Sequence, residues 1–234
     1  MNKIASLKKV IATPFRQANE TNRSVMTDWL VNYSGTFLEV GAGERPLLDA
    51  INDDHRRIIL DLPQIADVID SSKYQYLGQN AGEDKWELPD GSVDVVVSNQ
   101  CLEHIPKTDH FISEAYRVLK PNGIFVVSVP NQGALAFILL LLLTINPPMN
   151  FVSDRFYGLG NPLSNLRFKE RNVTSYSHLR LFATRAMCDL LKVHGFKVKK
   201  KHGGSWGLPI CGKFMAGIMP YYGLYTTILS QKTK

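Results

Sequence analysis

The sequence predicts an α/β fold built on a mostly parallel sheet, and three observations predict it. Short apolar runs rich in β-branched residues alternate with amphipathic segments between Phe37 and Val129. The first run, Phe37-Leu38-Glu39-Val40, passes into a glycine-rich turn, Gly41-Ala42-Gly43, that runs on to Pro46. A second run, Arg57–Leu62, follows closely, so strand, helix and strand make a βαβ unit with parallel strands and a right-handed crossover.

Taken in order, the chain up to about Asn32 reads as helix, with Val25, Met26, Trp29 and Leu30 at helical spacing. In the turn after the first strand, Gly41 and Gly43 can adopt backbone angles closed to other residues and let a ligand approach the main chain. Pro46 suits the first turn of a short helix, where its missing N–H costs nothing. That helix is expected to carry Leu47, Leu48 and Ile51 and to stop at Asn52-Asp53-Asp54. The second strand places Asp61 near its end. Lys73–Leu77 reads as a short third strand, and Leu88-Pro89-Asp90-Gly91 is a turn.

Val93–Ser98 is the clearest strand of all, dense in valine, and it ends in Asn99-Gln100. The helix after Pro106 puts Phe111, Ile112, Ala115, Val118 and Leu119 on one face. Lys120-Pro121-Asn122-Gly123 stops it, and Gly123–Val129 forms the next buried strand, closed by Pro130-Asn131. The rhythm then breaks until a helix over about Thr184–His194, a strand over Phe196–Lys201, an irregular stretch over Gly203–Gly223 and a last strand over Leu224–Ser230. The expected organisation is one domain over 1–234, with a core of 35–131 and 178–234 and insertions at about 132–177 and 203–223.

Composition narrows the classes. With 234 residues, 44% of them apolar and 21% charged, the chain is an ordinary globular protein long enough to bury a core. Cys101, Cys188 and Cys211 form neither a metal-ligand spacing nor a disulfide framework, so a cytoplasmic location is expected. The net charge of +6 is uneven: from Arg167 onward there are 13 Lys/Arg against Glu170 and Asp189 alone. That third of the chain either faces an anionic partner or is a solvated basic surface. The N-terminal stretch is a poor secretory signal. Ala134–Ile145, a leucine-rich run, falls short of the roughly 20 residues a membrane span needs. It reads as a buried core or lid helix, or as an interfacial segment with cationic flanks that would give peripheral membrane contact.

The chemistry gathers at strand ends. In an open parallel sheet, ligands bind outside the carboxyl ends of the strands. Here those ends carry Glu39-Val40-Gly41, Asp61, Asn99-Gln100 and Pro130-Asn131. Asp61 follows Gly41 at the interval from which a second-strand carboxylate accepts hydrogen bonds from ribose hydroxyls. A dinucleotide fingerprint would need glycine where Pro46 stands, and Glu44 would repel a pyrophosphate at a helix start. A nucleoside without phosphates fits better than NAD, which disfavours an NAD-dependent oxidoreductase or epimerase.

Leu38–Glu44 (LEVGAGE), Asp61, Leu88–Ile105, Val118–Asn131 and His178–Phe182 ahead of Leu190–Phe196 together resemble class I S-adenosylmethionine-dependent methyltransferases. The nearest likeness is to the group that includes ubiquinone- and menaquinone-pathway and glycan-tailoring enzymes. The resemblance implies a Rossmann-like, doubly wound, seven-stranded sheet whose last strand is antiparallel, and S-adenosylmethionine as cofactor. It implies that Gly41, Ala42 and Gly43 pass under the methionine part of the cofactor, with Glu39 near its amino group. Asp61 would take the ribose, Leu62 would flank the adenine, and a group in Asn80-Ala81-Gly82-Glu83-Asp84, either Asn80 or Asp84, would meet the adenine amine. Asn99 and Gln100 would line the site near the sulfonium.

The expected reaction moves a methyl group to a small-molecule, glycan or lipid-linked acceptor, at oxygen. His104 and His178 are the candidate general bases, because imidazole titrates near neutrality. Some ubiquinone-pathway enzymes carry E-x-x-E-H, whose acids hold a divalent metal. Gln100 replaces the first acid here, which weakens a hard-cation site, so no metal is expected. A catalytically silent, cofactor-binding or membrane-associated module is the non-enzymatic alternative. Nucleic acid is a poor partner, because Asn99-Gln100-Cys101-Leu102 lacks an N-P-P-Y/F motif.

Overall fold

The computed structural model describes residues 3–153, 155–164, 167–170, 178–205 and 212–233. Its centre is a seven-stranded sheet in the order β3-β2-β1-β4-β5-β7-β6. The strands are β1 (Thr36–Val40), β2 (Arg56–Asp61), β3 (Gln75–Gly78), β4 (Val93–Asn99), β5 (Leu119–Pro130), β6 (Phe196–His202) and β7 (Tyr225–Lys232). The β1–β2, β2–β3, β1–β4 and β4–β5 pairs are parallel, whereas β7 runs antiparallel to both β5 and β6. The Rossmann-like expectation holds, including the antiparallel last strand.

Each face of the sheet is covered, as side-chain alternation along the strands requires. Leu38, Val40, Ile58, Leu60, Val96, Phe125 and Val127 point to the face packed by α2 (Thr108–Val118) and α4 (Thr184–Val193), through Phe111, Ile112, Ala115, Met187 and Leu191. Phe37, Ile59, Val95, Val97, Ile124 and Val126 point to the opposite face, where α1 (Lys3–Leu30) lays down Met26 and Leu30. The chain leaves β1 toward β2 and β3 on one side and resumes at β4 on the other. The gap between the carboxyl ends of β1 and β4 is therefore the topological switch point, where such sheets bind ligands.

Several expectations need correcting. The helix expected after the glycine turn is a single 3-10 turn, Leu47–Ala50. Too few residues separate Pro46 from Asn52-Asp53-Asp54 to propagate an α-helix, and its first N–H groups are held from outside by Glu39. The third strand starts two residues later than expected. β5 starts at Leu119, not Gly123, because the pairing with β4 resumes beyond an irregularity at Val93/Val95 where Asn122 takes a left-handed φ of 65°. The Gly203–Gly223 stretch contains a helix, α5 (Gly212–Ile218), and a 3-10 turn, Pro220–Tyr222. Trp206, Pro209 and Cys211 lie outside the described residues.

The leucine-rich run forms α3 (Leu135–Leu142), and it is not a buried core helix. Phe137 is its one fully covered side chain, in a small cluster with Ala18, Ala134, Leu224 and Tyr225. Leu139, Leu141, Leu142 and Leu143 are exposed, Leu142 at 75%. Among the described residues no helix is long and apolar enough to cross a membrane.

Candidate functional site

The turn after β1 is held rigidly from beneath. Gly41 donates to the Leu60 carbonyl (2.9 Å) and Gly43 donates to Asp61 Oδ2 (2.9 Å), while Leu62 donates to Asp61 Oδ1 (2.7 Å). Asp61 thus clamps the glycine turn to the end of β2 and keeps a second lone pair on each oxygen. Gly41 has a φ of +76°, and a β-carbon there would lie 2.4 Å from Cys101 Sγ, so only glycine fits. A β-carbon on Gly43 would meet nothing within 4 Å. Open space above the turn and a carboxylate beside it are what a ribose and an amino-acid tail would occupy. The residues present fit S-adenosylmethionine.

Glu39 is tied to the loop beyond the turn. It is buried, and its Oε2 accepts from Leu47 (2.8 Å) and Leu48 (3.1 Å), with Oε1 also near Leu47 N (3.0 Å). Burial pushes its carboxyl up to about 7, against the lowering effect of those two N–H groups. The side chain holds the far end of the loop in place.

The Asn80–Asp84 segment closes on itself. Asp84 Oδ2 accepts from Asn80 N (2.7 Å), Asn80 Oδ1 accepts from Gly82 N (3.0 Å), and the Ala81 carbonyl accepts from Trp86 Nε1 (3.1 Å). Its position beside the loop after β4 is set by Ile105, against which Gly82 packs, and by an ion pair between Lys107 and Glu83. Leu62 opens the neighbouring 3-10 turn, Pro63–Val68, its carbonyl taking the Tyr76 hydroxyl (2.6 Å). Ala42 packs against the apolar cluster under α1.

At the end of β4 the structure adds a residue that the sequence did not signal. Asn22 of α1 is fully buried and donates to Asn99 Oδ1 (3.1 Å) and Ser128 Oγ (2.8 Å), and it accepts from the Thr227 hydroxyl. Gln100 takes a left-handed φ of 55° and turns its amide to Ser128 Oγ (3.2 Å). The helical lead-in thereby reaches across the sheet and fixes the floor of the switch point. Nothing in a helical pattern marks one asparagine for that task. Asn131 is committed elsewhere, donating to the carbonyls of Tyr221 and Gly223 (2.8 Å each).

His104 and His178 come together. Their rings are 4.9 Å apart, and His178 Nδ1 donates to the Met149 carbonyl (2.9 Å). Between them stands Glu103, completely buried, with both oxygens lacking a hydrogen-bond partner among the described residues. Burial pushes its carboxyl up to about 8. Glu103, His104 and His178 are the described residues whose ligand atoms could share a cation. Tyr116 and Lys120 stand at the Y-x-x-x-K spacing of an oxidoreductase pair. They lie at the opposite end of the sheet, where Tyr116 donates to the Thr233 carbonyl and Lys120 pairs with Asp94.

Comparisons with known proteins agree with this geometry. A family model described as a methyltransferase domain matches residues 15–201. A Mycolicibacterium smegmatis protein named a probable S-adenosylmethionine-dependent methyltransferase is 33% identical over 174 residues, covering 72% of this chain and 60% of that protein. The chain thus spans about three fifths of the length of that curated relative. Among solved structures, a Thermotoga maritima S-adenosylmethionine-dependent methyltransferase, described as a possible histamine N-methyltransferase, superposes with a TM-score of 0.61 at 17% identity, covering 94% of this chain and 92% of its own. The [4+2]-cyclase SpnF superposes at 0.54 and 17% identity, covering 89% and 80%. At such identities the likeness concerns the fold alone. The family match, by contrast, runs unbroken through the glycine turn, Asp61 and the end of β4, and the chain belongs to the methyltransferase domain family.

Proposed function

We propose that this protein transfers a methyl group from S-adenosylmethionine to an oxygen of a small-molecule, glycan or lipid-linked acceptor. The observation that carries the reading is the Asp61 clamp: a second-strand carboxylate that holds the glycine turn at Gly43, where a β-carbon would meet only open space. The cofactor supplies an activated methyl on a sulfonium, so the chain's task is to position, to exclude water and to manage one proton. Asp61 accepts from the ribose hydroxyls, and the main chain of Gly41–Gly43 supports the amino-acid end. Asn99 and Gln100, held by Asn22 and Ser128, form the floor where the acceptor oxygen approaches. His104 or His178 takes the proton released as the new C–O bond forms and the C–S bond breaks.

The acceptor class is read from the segment after β5. Leu139 and Leu141–Leu143 are exposed along and just after α3, which four residues separate from β5. An exposed leucine edge suits an acyl or polyprenyl chain better than a polar metabolite. Cationic side chains are dense in the chain from Arg167 onward, among them Arg185 and Lys201, both against Tyr221. Membrane contact therefore accompanies the lipid-linked reading.

Calorimetric titration tests the core of the reading: S-adenosylmethionine binds the folded protein and NAD does not. Absence of heat with the former sinks it. Vesicles containing phosphatidylglycerol test the surface, since the protein floats with them at low salt and a Leu141→Ser/Leu142→Ser double variant does so less. Equal flotation of the two chains removes the leucine edge from the account.

A further inference from the structure

We infer that residues 179–182 form a strap latched across the carboxyl ends of β4 and β5, and that Arg180 is the positioning residue that holds the strap and, through it, His178. The strap belongs to the HLRLF motif, of which the proposed reaction uses only the histidine. Three of its residues are anchored in turn. Leu179 N donates to the Glu103 carbonyl (2.9 Å). Arg180 spans two acceptors, with Nη2 donating to the Pro106 carbonyl (2.8 Å) and Nη1 to the Thr108 hydroxyl (3.0 Å). The Phe182 carbonyl accepts from Gln132 N (3.0 Å), and Phe182 bridges to Asn131. Its side chain is buried in the cluster that holds Leu102, Ile105 and Val129.

The arginine is placed for geometry and not for charge. Thr108 is the first residue of α2, and the partial positive charge at a helix N-terminus disfavours a cation. Both acceptors are neutral oxygens, on residues two apart, and Arg180 itself is exposed. What a planar guanidinium supplies is a rigid fork that can tie two acceptors at once, whereas a lysine ammonium is a single point on a flexible stem. One backbone bond at Leu179 would leave the strap free to swing about it. The fork adds two contacts on the same loop and removes that freedom.

The consequence falls on His178, which directly precedes the first anchor. Its ring is tied to the Met149 carbonyl of the first insertion and lies 4.9 Å from that of His104. The loop that receives the fork also packs against the Asn80–Asp84 segment, through Ile105 on Gly82 and Lys107 with Glu83. Arg180 therefore fixes the acceptor-side histidine relative to the loop on which the cofactor-side segment rests. That His178 serves as a base rests on the function proposed above. The latch is read from these contacts alone, and its test needs neither cofactor nor acceptor.

The test is NMR on the isotope-labelled, cofactor-free full chain. Arg180→Ala and Arg180→Lys each speed exchange of the Leu179 amide by about tenfold or more, the scale of one charge-assisted hydrogen bond. Exchange of the Leu191 amide, in the buried face of α4, stays at the wild-type rate. The ring signal of His178, assigned by its loss in His178→Gln, moves in both variants. Arg180→Lys keeps the charge, so its agreement with Arg180→Ala separates the fork from the cation. A wild-type exchange rate at Leu179 in either variant, an unmoved His178 signal, or equal acceleration at Leu191 overturns the inference. Failure of S-adenosylmethionine to bind would sink the methyl-transfer reading and leave each of these outcomes as it stands.

Discussion

The carboxyl ends of β1 and β4 are neighbours in the sheet, and each is followed by a buried glutamate or contains one. Glu39, on β1, gives its carboxylate to Leu47 and Leu48 and so fixes a loop. Glu103, after β4, gives its carboxylate to nothing among the described residues and sits against two imidazoles. Burial raises both carboxyls above the ordinary range, but only the first has donors that oppose the shift strongly. A paired buried acid is a structural strut. An unpaired one is a burial cost that nothing described offsets. The β1 glutamate is thus satisfied by the fold, and the β4 glutamate is satisfied by no described residue.

The largest effect on this contrast should come from Gly41→Ala. The added β-carbon would demand a left-handed backbone and collide with Cys101, the residue that joins the two rims. Destabilisation of roughly 2–5 kcal/mol is expected in urea melts, with loss of cofactor binding. A change below about 1 kcal/mol would mean that the rims are not packed against each other as described.

The two acids can then be compared directly through pH. The Glu39 carboxyl is held at about 7 in the folded chain and at its ordinary value when unfolded, so the native state keeps the proton more tightly. Its contribution to stability therefore falls as pH rises from about 4.5 to about 7 and is flat outside that window, a swing of up to about 3 kcal/mol. Glu39→Gln should flatten that part of the stability–pH curve. It should also cost stability at low pH, where the wild-type acid is neutral, because an amide meets two N–H groups less well. Glu103→Gln has no such partners to lose among the described residues, and it should be neutral or stabilising by about 1 kcal/mol. Matching losses in the two variants would erase the distinction between a paired and an unpaired acid.

Asp61→Ala ranks next. It should weaken S-adenosylmethionine binding by roughly 1.5–3 kcal/mol in calorimetry, the scale of charge-assisted hydrogen bonds. Unchanged affinity would leave Asp61 as a clamp for Gly43 only. The smallest expected effect is that of Asn22→Ala. Losing a buried donor to Asn99 and Ser128 should cost roughly 1–3 kcal/mol of stability, with a smaller loss of cofactor affinity. That loss measures how far the β4 floor depends on α1.

The β1 rim was almost fully legible in the sequence. Its elements are close in the chain, and each has a local cause: the Phe37–Val40 run, the glycines that allow φ above zero, and Asp61 at a set interval. The helix expected over Leu47–Ile51 is a single 3-10 turn, because Asn52-Asp53-Asp54 follows too soon for an α-helix to propagate; Glu39, from the preceding strand, caps its first N–H groups. The leucines of α3 were as compatible with burial as with exposure, since a run apolar all round carries no facing information.

The sequence by itself determined the fold class, the switch-point turn, the second-strand acid and the likeness to nucleoside-cofactor methyltransferases. The first three rest on periodicity and spacing over a few residues, and the likeness rests on a resemblance of short motifs to a known family. Only the tertiary structure decided that Asn22 reaches the sheet floor, that α3 shows its leucines to solvent, and that buried Glu103 lies beside both His104 and His178. Those three facts join residues far apart in the chain. Their distances are set by how helices and insertions pack on the sheet, which no local pattern encodes.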